Sequence, residues 1–205
     1  MDMLILLFTG FTIGISGAMI PGPLTFFTIS EVIKSNRFAG LKIIAGHMAL
    51  ELIFIAAILL KLHRFLDYER FLSFVTLTGG AALILMGALL LIFSPKLKVN
   101  DRQSEKPFGK GLFLGGVFFS ALSPGFLIWW ATIGISTIIR SLLFGVIGVV
   151  VLTLGHWAAD VGWYWSLSYA VDKGRRLLND RVYRNIIKVS SVFLIILGVK
   201  FLMGV

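Results

Sequence analysis

Two hexapeptides, GHMALE at residues 46–51 and GHWAAD at residues 155–160, share the pattern Gly-His-x-x-x-acid. Each lies inside a long apolar segment, where a histidine or a carboxylate is rare and costly. Other landmarks recur around them in the same order, namely the pairs Pro21-Gly22 and Pro124-Gly125 and the apolar stretches that end at Gly87 and Gly198. Because several landmarks occur twice in one order, the sequence predicts an internal duplication.

The composition indicates that both halves lie in a lipid bilayer. Of the 205 residues, 58% are hydrophobic and only 14% are charged, whereas a soluble domain carries about 25% charged residues. A membrane-spanning helix needs about 20 mostly apolar residues, and six segments qualify: 3–30, 43–60, 71–95, 111–139, 141–171 and 189–205. We therefore predict an all-α membrane protein with six transmembrane helices.

The distribution of Lys and Arg predicts how these helices are oriented. The loops after spans 1, 3 and 5 carry 14 of the 19 basic residues, and such loops face the cytoplasm. Both termini are then outside the plasma membrane. The net charge of +9 is explained by these loops, so we predict no nucleic-acid partner. The chain has no cysteine.

The odd number of spans in each half predicts an inverted repeat. Residues 1–95 form the first repeat (spans 1–3), residues 96–110 form a cytoplasmic linker, and residues 111–205 form the second repeat (spans 4–6). Three spans reverse the side of entry, so the halves are related by a pseudo-two-fold axis in the membrane plane. This symmetry is typical of secondary transporters, whose substrate site lies near the midplane, and it also occurs in some channels.

Two proline–glycine clusters are expected to break spans 1 and 4: Pro21-Gly22-Pro23 and Ser123-Pro124-Gly125. Proline removes a backbone donor and clashes with the preceding turn. In span 4, Ser123 can cap a new helix that has Pro124 at its first position, whereas span 1 offers no capping side chain. A half-helix N-terminus attracts anions, so both clusters are predicted to bind a substrate carboxylate. The alternative is a simple kink packed against a neighbouring helix.

The His–acid pairs are the second part of the predicted site. His47 and Glu51 share one helix face, as do His156 and Asp160, because each pair is four residues apart. We predict that Glu51 and Asp160 bind the substrate and that all four side chains take part in proton coupling. The same four side chains would also suit a divalent transition metal. A purely structural His–carboxylate hydrogen bond is the remaining alternative.

Some neighbouring residues are weaker candidates. Trp129 and Trp130 follow the second break and are interpreted mainly as packing residues. Thr25 and Ser120 carry hydroxyls that commonly satisfy their own helix backbone.

The chain resembles the LysE/RhtB family of amino-acid exporters. The resemblance rests on its length, its six apolar spans, the motif Pro21-Gly22-Pro23, the spacing through Gly40 and Gly46, and Pro124 in span 4. It implies efflux of amino acids or related solutes, driven by the proton gradient, from a homodimer.

These expectations combine into one hypothesis: a proton-coupled exporter of small solutes, an antiporter that works by alternating access. The first rival is a divalent metal-ion exporter that uses the same His–acid pairs. The second is an intramembrane metalloenzyme, which the symmetry of the pairs disfavours because a catalytic centre needs distinct roles. A structural membrane protein would leave the pairs unexplained. We predict no enzymatic activity and no cofactor.

Overall fold

The computed structural model describes residues 3–62, 67–93, 109–174 and 180–203. All regular structure in these ranges is helical, which confirms the all-α prediction. The helices are α1 (Met3–Ala18), α2 (Pro23–Lys34), α3 (Phe38–Leu59), α4 (Tyr68–Phe93), α5 (Gly109–Ala121), α6 (Pro124–Trp129), α7 (Ile135–Ser141), α8 (Gly145–Gly174) and α9 (Asp180–Met203). A π-helical turn, Trp130–Gly134, joins α6 to α7.

Three helical segments are long and apolar enough to cross a membrane, Phe38–Leu59, Glu69–Leu89 and Pro124–Gly174, and the bent pair of α1 and α2 makes a fourth. The longest segment contains a short 3₁₀ turn, Leu142–Phe144, followed by Gly145 with a φ of 69°. Its 51 residues exceed the length of one crossing. The multi-pass architecture is therefore supported, while the count of six, the inverted orientation and the position of the termini stay predictions.

The domain boundaries also stay predictions. Most of the linker, residues 96–108, lies outside the described part of the chain.

Span 1 is broken at its proline cluster as expected. Helices α1 and α2 meet at an angle of 77°. Gly22 is the N-cap of α2 and its backbone is extended, with a φ of −152° and a ψ of −175°, while Pro23 occupies the first turn. No side chain caps this helix, in agreement with the sequence. The break in span 4 lies between α5 and α6, where Ser123 is the N-cap and Pro124 begins the helix.

The main helix contacts join the two halves of the chain. Helix α1 packs along α8, α3 packs along α5, and α4 packs along α9. Exchanging the halves turns the first pair into the second and leaves the third unchanged, which is the packing expected of two repeats related by a two-fold axis.

The glycine of each GHxxx-acid motif makes this packing possible. A Cβ added at Gly46 would overlap the backbone carbonyl of Phe113 on α5, and one added at Gly155 would overlap the carbonyl of Leu7 on α1. Small residues let membrane helices approach until their backbones touch. The histidine that follows each glycine therefore lies on a helix that packs closely against another helix, α3 against α5 and α8 against α1.

Candidate functional site

One cavity of about 340 Å³ lies among the broken helices. Helices α3 and α8 supply its ionisable side chains, and the two breaks supply its backbone edges. All ten residues that the sequence predicted for the site line this cavity, namely Pro21, Gly22, Pro23, His47, Glu51, Ser123, Pro124, Gly125, His156 and Asp160. Residues from both halves of the chain are thus brought together, such as Glu51 and His156, which are 105 positions apart in the sequence. The functions assigned to these residues stay predictions.

The two His–acid pairs form one cluster, which we call the tetrad (His47, Glu51, His156 and Asp160). Within each pair, the histidine Nε2 is close to its own acid, at 3.3 Å from Glu51 Oε1 and 3.4 Å from Asp160 Oδ2. The shortest contact crosses between the helices, from His156 Nε2 to Glu51 Oε1 at 2.9 Å. The tetrad therefore links α3 to α8.

Glu51 is the most fully satisfied member of the tetrad. Its side chain is 1% exposed. Both histidines approach Oε1, and the indole N–H of Trp157 donates to Oε2 at 2.9 Å. Trp157 was not predicted as a site residue. It follows His156 directly in the motif, and its aromatic N–H was the only signal available.

Asp160 has much weaker surroundings. It is 2% exposed, yet Oδ2 has no hydrogen-bond partner among the described residues. His156 Nε2 lies 3.4 Å from this oxygen. Burying a carboxylate oxygen without a donor is costly, so Asp160 is the carboxylate with capacity left to bind a cationic group.

The Ser120 hydroxyl contacts the imidazole ring of His47. The hydroxyl of Ser120 donates to the carbonyl of Gly116 at 2.7 Å, which uses its single proton. Its oxygen lies 2.8 Å from His47 Nδ1 and must accept there. His47 Nδ1 therefore carries a proton, and Nε2 is directed towards Glu51. The sequence had correctly placed this hydroxyl on its own helix backbone and had not predicted the second role.

The two helix breaks also line the cavity. The Ser123 hydroxyl accepts from the backbone N–H of Phe126 at 3.4 Å, which is long for a capping bond. The first turn of α2 has no side-chain cap, so its backbone donors remain available to an anion. Gly22 and Ser123 also lie near each other, since a Cβ at Gly22 would be 3.7 Å from Ser123 Oγ.

An aromatic wall completes the cavity. The rings of Trp129 and Trp130 lie 5.0 and 6.2 Å from the ring of His156, measured between centroids. Both indole N–H groups are buried without a hydrogen-bond partner in the described structure. Tyr164 OH is 3.4 Å from Thr25 Oγ1. The two tryptophans pack as predicted, but they also face the cavity.

A helical membrane protein whose broken helices and buried ionisable side chains enclose one cavity is a membrane transporter in architecture. The family model described as LysE type translocator matches residues 15–204, so the chain belongs to that family. The resemblance drawn from the sequence is confirmed, and membership implies a small-solute exporter. No curated protein and no solved structure matches the chain.

Proposed function

We propose that the protein exports an amino acid or a closely related zwitterion across the cytoplasmic membrane, in exchange for protons, by alternating access. The observation that carries this proposal is the cavity, because helix breaks that can bind an anion and carboxylates that can bind a cation line the same space. A zwitterion needs both.

The carboxylate of the solute is assigned to the helix breaks. The N-terminus of α2 is uncapped at Gly22 and begins with Pro23, so its free N–H groups and its dipole favour an anion. Ser123 and Gly125 on the opposite break line the same space. Broken helices hold substrate carboxylates in this way in other transporters.

The ammonium group is assigned to Asp160. Its Oδ2 atom is buried without a donor, whereas the oxygens of Glu51 are already bound by two histidines and Trp157. If Asp160 holds either a proton or the ammonium group and never both, the solute must leave when the proton arrives. This mutual exclusion produces antiport.

The rest of the cavity suits a small and partly apolar solute. Its volume of about 340 Å³ is at the low end of the range for ligand sites. Its lining includes Phe126 and Trp130, together with Leu83, Leu197 and Phe201 from α4 and α9. An amino acid with an aliphatic side chain such as leucine is therefore a suitable first probe.

The pairing of the two halves supports the proposal of alternating access. The tetrad joins α3 of the first half to α8 of the second, and both breaks open onto the same cavity. Rocking one half against the other would expose this cavity first to one side and then to the other. The homodimer implied by the family resemblance would provide a fixed frame for this motion.

The test is transport by purified protein in proteoliposomes with an imposed pH gradient and a panel of amino acids. We expect gradient-driven movement of at least one amino acid and its loss in Asp160→Asn and Glu51→Gln. Asp67→Asn is the matched control, since Asp67 is half exposed and pairs with Arg70. If both tetrad variants transport as well as this control, the assignment of the site is wrong.

A further inference from the structure

We propose that the tetrad is a binding site for a divalent transition-metal ion. The ligands are Nε2 of the two histidines and one oxygen from each carboxylate. This inference concerns binding and stands independently of the export proposed above.

The spacing of the ligand atoms is close to that of a tetrahedral metal site. Zinc binds imidazole and carboxylate ligands at about 2.0–2.2 Å in a tetrahedral arrangement, and the edges of such a tetrahedron measure about 3.3–3.6 Å. Three edges of the tetrad measure 2.9, 3.3 and 3.4 Å. Ligand atoms of His47, Glu51 and Asp160 all lie within 4.8 Å of one another. His156 lies outside this group of three, so its side chain must move to complete a tetrahedron around an ion.

Residues next to the ligands hold two of them in position by hydrogen bonds. A metal-bound histidine almost always donates its other ring N–H to an acceptor, which frees the second nitrogen. Ser120 is such an acceptor for His47 Nδ1, because its own proton is used on Gly116. Trp157 likewise holds the outer oxygen of Glu51. One ligand in each class, imidazole and carboxylate, is thus oriented by a dedicated hydrogen bond.

The charge of the tetrad also favours a divalent cation. The tetrad contains two buried carboxylates, with Glu51 only 1% and Asp160 only 2% exposed. No lysine or arginine in the described ranges lines the cavity. With neutral imidazoles, a divalent cation balances both negative charges at once, and it also supplies Asp160 Oδ2 with the partner that it lacks. The mixed imidazole and carboxylate set favours Zn²⁺ or Co²⁺ over the oxygen-preferring Mg²⁺ and Ca²⁺.

A bound ion would also tie α3 to α8. If the protein works by the alternating access proposed above, fixing these helices together opposes the motion, and the ion is an inhibitor of export. This consequence rests on the proposed function, whereas the binding itself does not.

The primary experiment is a titration of chelator-treated, detergent-purified protein with Co²⁺, followed by the visible ligand-field bands. We expect one ion per chain with the intense bands of tetrahedral Co²⁺, and displacement by an equimolar amount of Zn²⁺. Glu51→Gln and Asp160→Asn nearly preserve side-chain shape and should abolish these bands. Ser120→Ala leaves all four ligands in place and should weaken binding about 10- to 100-fold.

His63→Ala is the control for adventitious binding, since His63 is the third histidine of the chain and lies outside the described residues. It should bind Co²⁺ as the unaltered protein does. Each variant is first checked for the elution volume of the unaltered protein in size-exclusion chromatography. Tetrahedral bands that persist in Asp160→Asn, or that are absent from the unaltered protein, would overturn the proposed site.

A second experiment separates this proposal from the proposed function. Zn²⁺ is added to proteoliposomes that export an amino acid, and we expect export to fall over the concentration range in which Zn²⁺ displaces Co²⁺. Binding without any amino-acid export would leave the metal site standing and refute the exporter. Export that is unaffected by saturating Zn²⁺ would refute the inhibitory role, and gradient-driven uptake of Zn²⁺ itself would identify the metal as cargo.

Discussion

Replacing Gly155 by alanine should separate α8 from α1, and this variant tests the packing that builds the site. The position has no space for a methyl group. A Cβ there would overlap the carbonyl of Leu7 and lie 3.1 Å from the backbone nitrogen of Phe11. Backbone atoms cannot rotate away as a flexible side chain can, so the helices themselves must move.

The expected magnitude follows from two opposing effects. Alanine is favoured over glycine inside a helix by about 1 kcal/mol. Forcing an extra methyl group into a packed interface costs about 1–3 kcal/mol. Gly162→Ala, on the exposed side of the same helix, measures the first effect alone, because a Cβ there meets nothing within 4 Å. The free energy of unfolding of Gly155→Ala should therefore lie about 1–3 kcal/mol below that of Gly162→Ala.

The measurement is unfolding in mixed micelles of dodecylmaltoside with increasing SDS, followed by tryptophan fluorescence. Gly46→Ala provides an independent copy of the test, since Gly46 faces Phe113 and Val117 on α5 as Gly155 faces Leu7 and Phe11 on α1. Both variants should lose a similar amount of stability. If Gly155→Ala and Gly162→Ala unfold at the same SDS fraction, the close packing of α1 on α8 is refuted.

The remaining predictions use the same unfolding assay. Trp157→Phe removes the donor to the buried Glu51 Oε2 and should cost about 1.5–3 kcal/mol; Trp163→Phe, which removes an indole N–H with no partner among the described residues, is its control, and equal stabilities would contradict the role of Trp157. Ser123→Ala removes the cap of α6 and, because the bond to Phe126 is 3.4 Å long, should cost only about 0.5–1 kcal/mol; a loss above 2 kcal/mol would show that the cap is tighter than the structure indicates. Gly145→Ala places a side chain at a φ of 69° and a ψ of −169° and should cost about 1–3 kcal/mol, although a Cβ meets nothing within 4 Å there; a variant as stable as Gly162→Ala would exclude backbone strain at this turn.

The parts of the fold and site that the sequence predicted are those encoded locally. The length of the apolar segments predicts membrane helices because the bilayer has a fixed thickness. Pro23 and Pro124 predict the helix breaks because proline cannot occupy a helix interior without disrupting it. A histidine four residues before an acid predicts a shared face because of the helical period. None of these inferences requires knowledge of a distant part of the chain.

The pairing across helices could not be predicted in the same way. The shortest tetrad contact joins His156 to Glu51 rather than to its own partner Asp160. This choice depends on how α8 is rotated and shifted relative to α3, which approach each other closely at Gly40, where a Cβ would overlap Ser168 Oγ. For the same reason Trp157, which lies next to the motif histidine, reaches the acid of the other half.

The two copies of the Gly-His-x-x-x-acid motif have the same spacing, but their acids lie in different chemical environments. Position 157 is tryptophan where the first copy has Met48, which has no N–H to donate, so only Glu51 receives an indole hydrogen bond. Aligning Pro21 with Pro124 places Gly17 opposite Ser120, and a Cβ at Gly17 would lie 3.2 Å from Trp129 Nε1. His47 therefore has a hydroxyl acceptor at Nδ1 that the sequence does not provide at the equivalent position for His156.

These differences leave the carboxylates unequally satisfied in an otherwise duplicated frame. A carrier that exchanges a cation must keep the geometry of its site while one carboxylate releases the bound cation. Two equally satisfied acids would bind the cargo too weakly, and two unsatisfied acids would repel each other in the bilayer. Glu51 has three nitrogens close to its oxygens, while Asp160 Oδ2 has no hydrogen-bond partner among the described residues. This arrangement would meet both requirements, because the fixed anion would orient the histidines and the open one would bind the cation. The divergence at Trp157 and Ser120 is therefore what would convert a symmetric cluster into an exchange site.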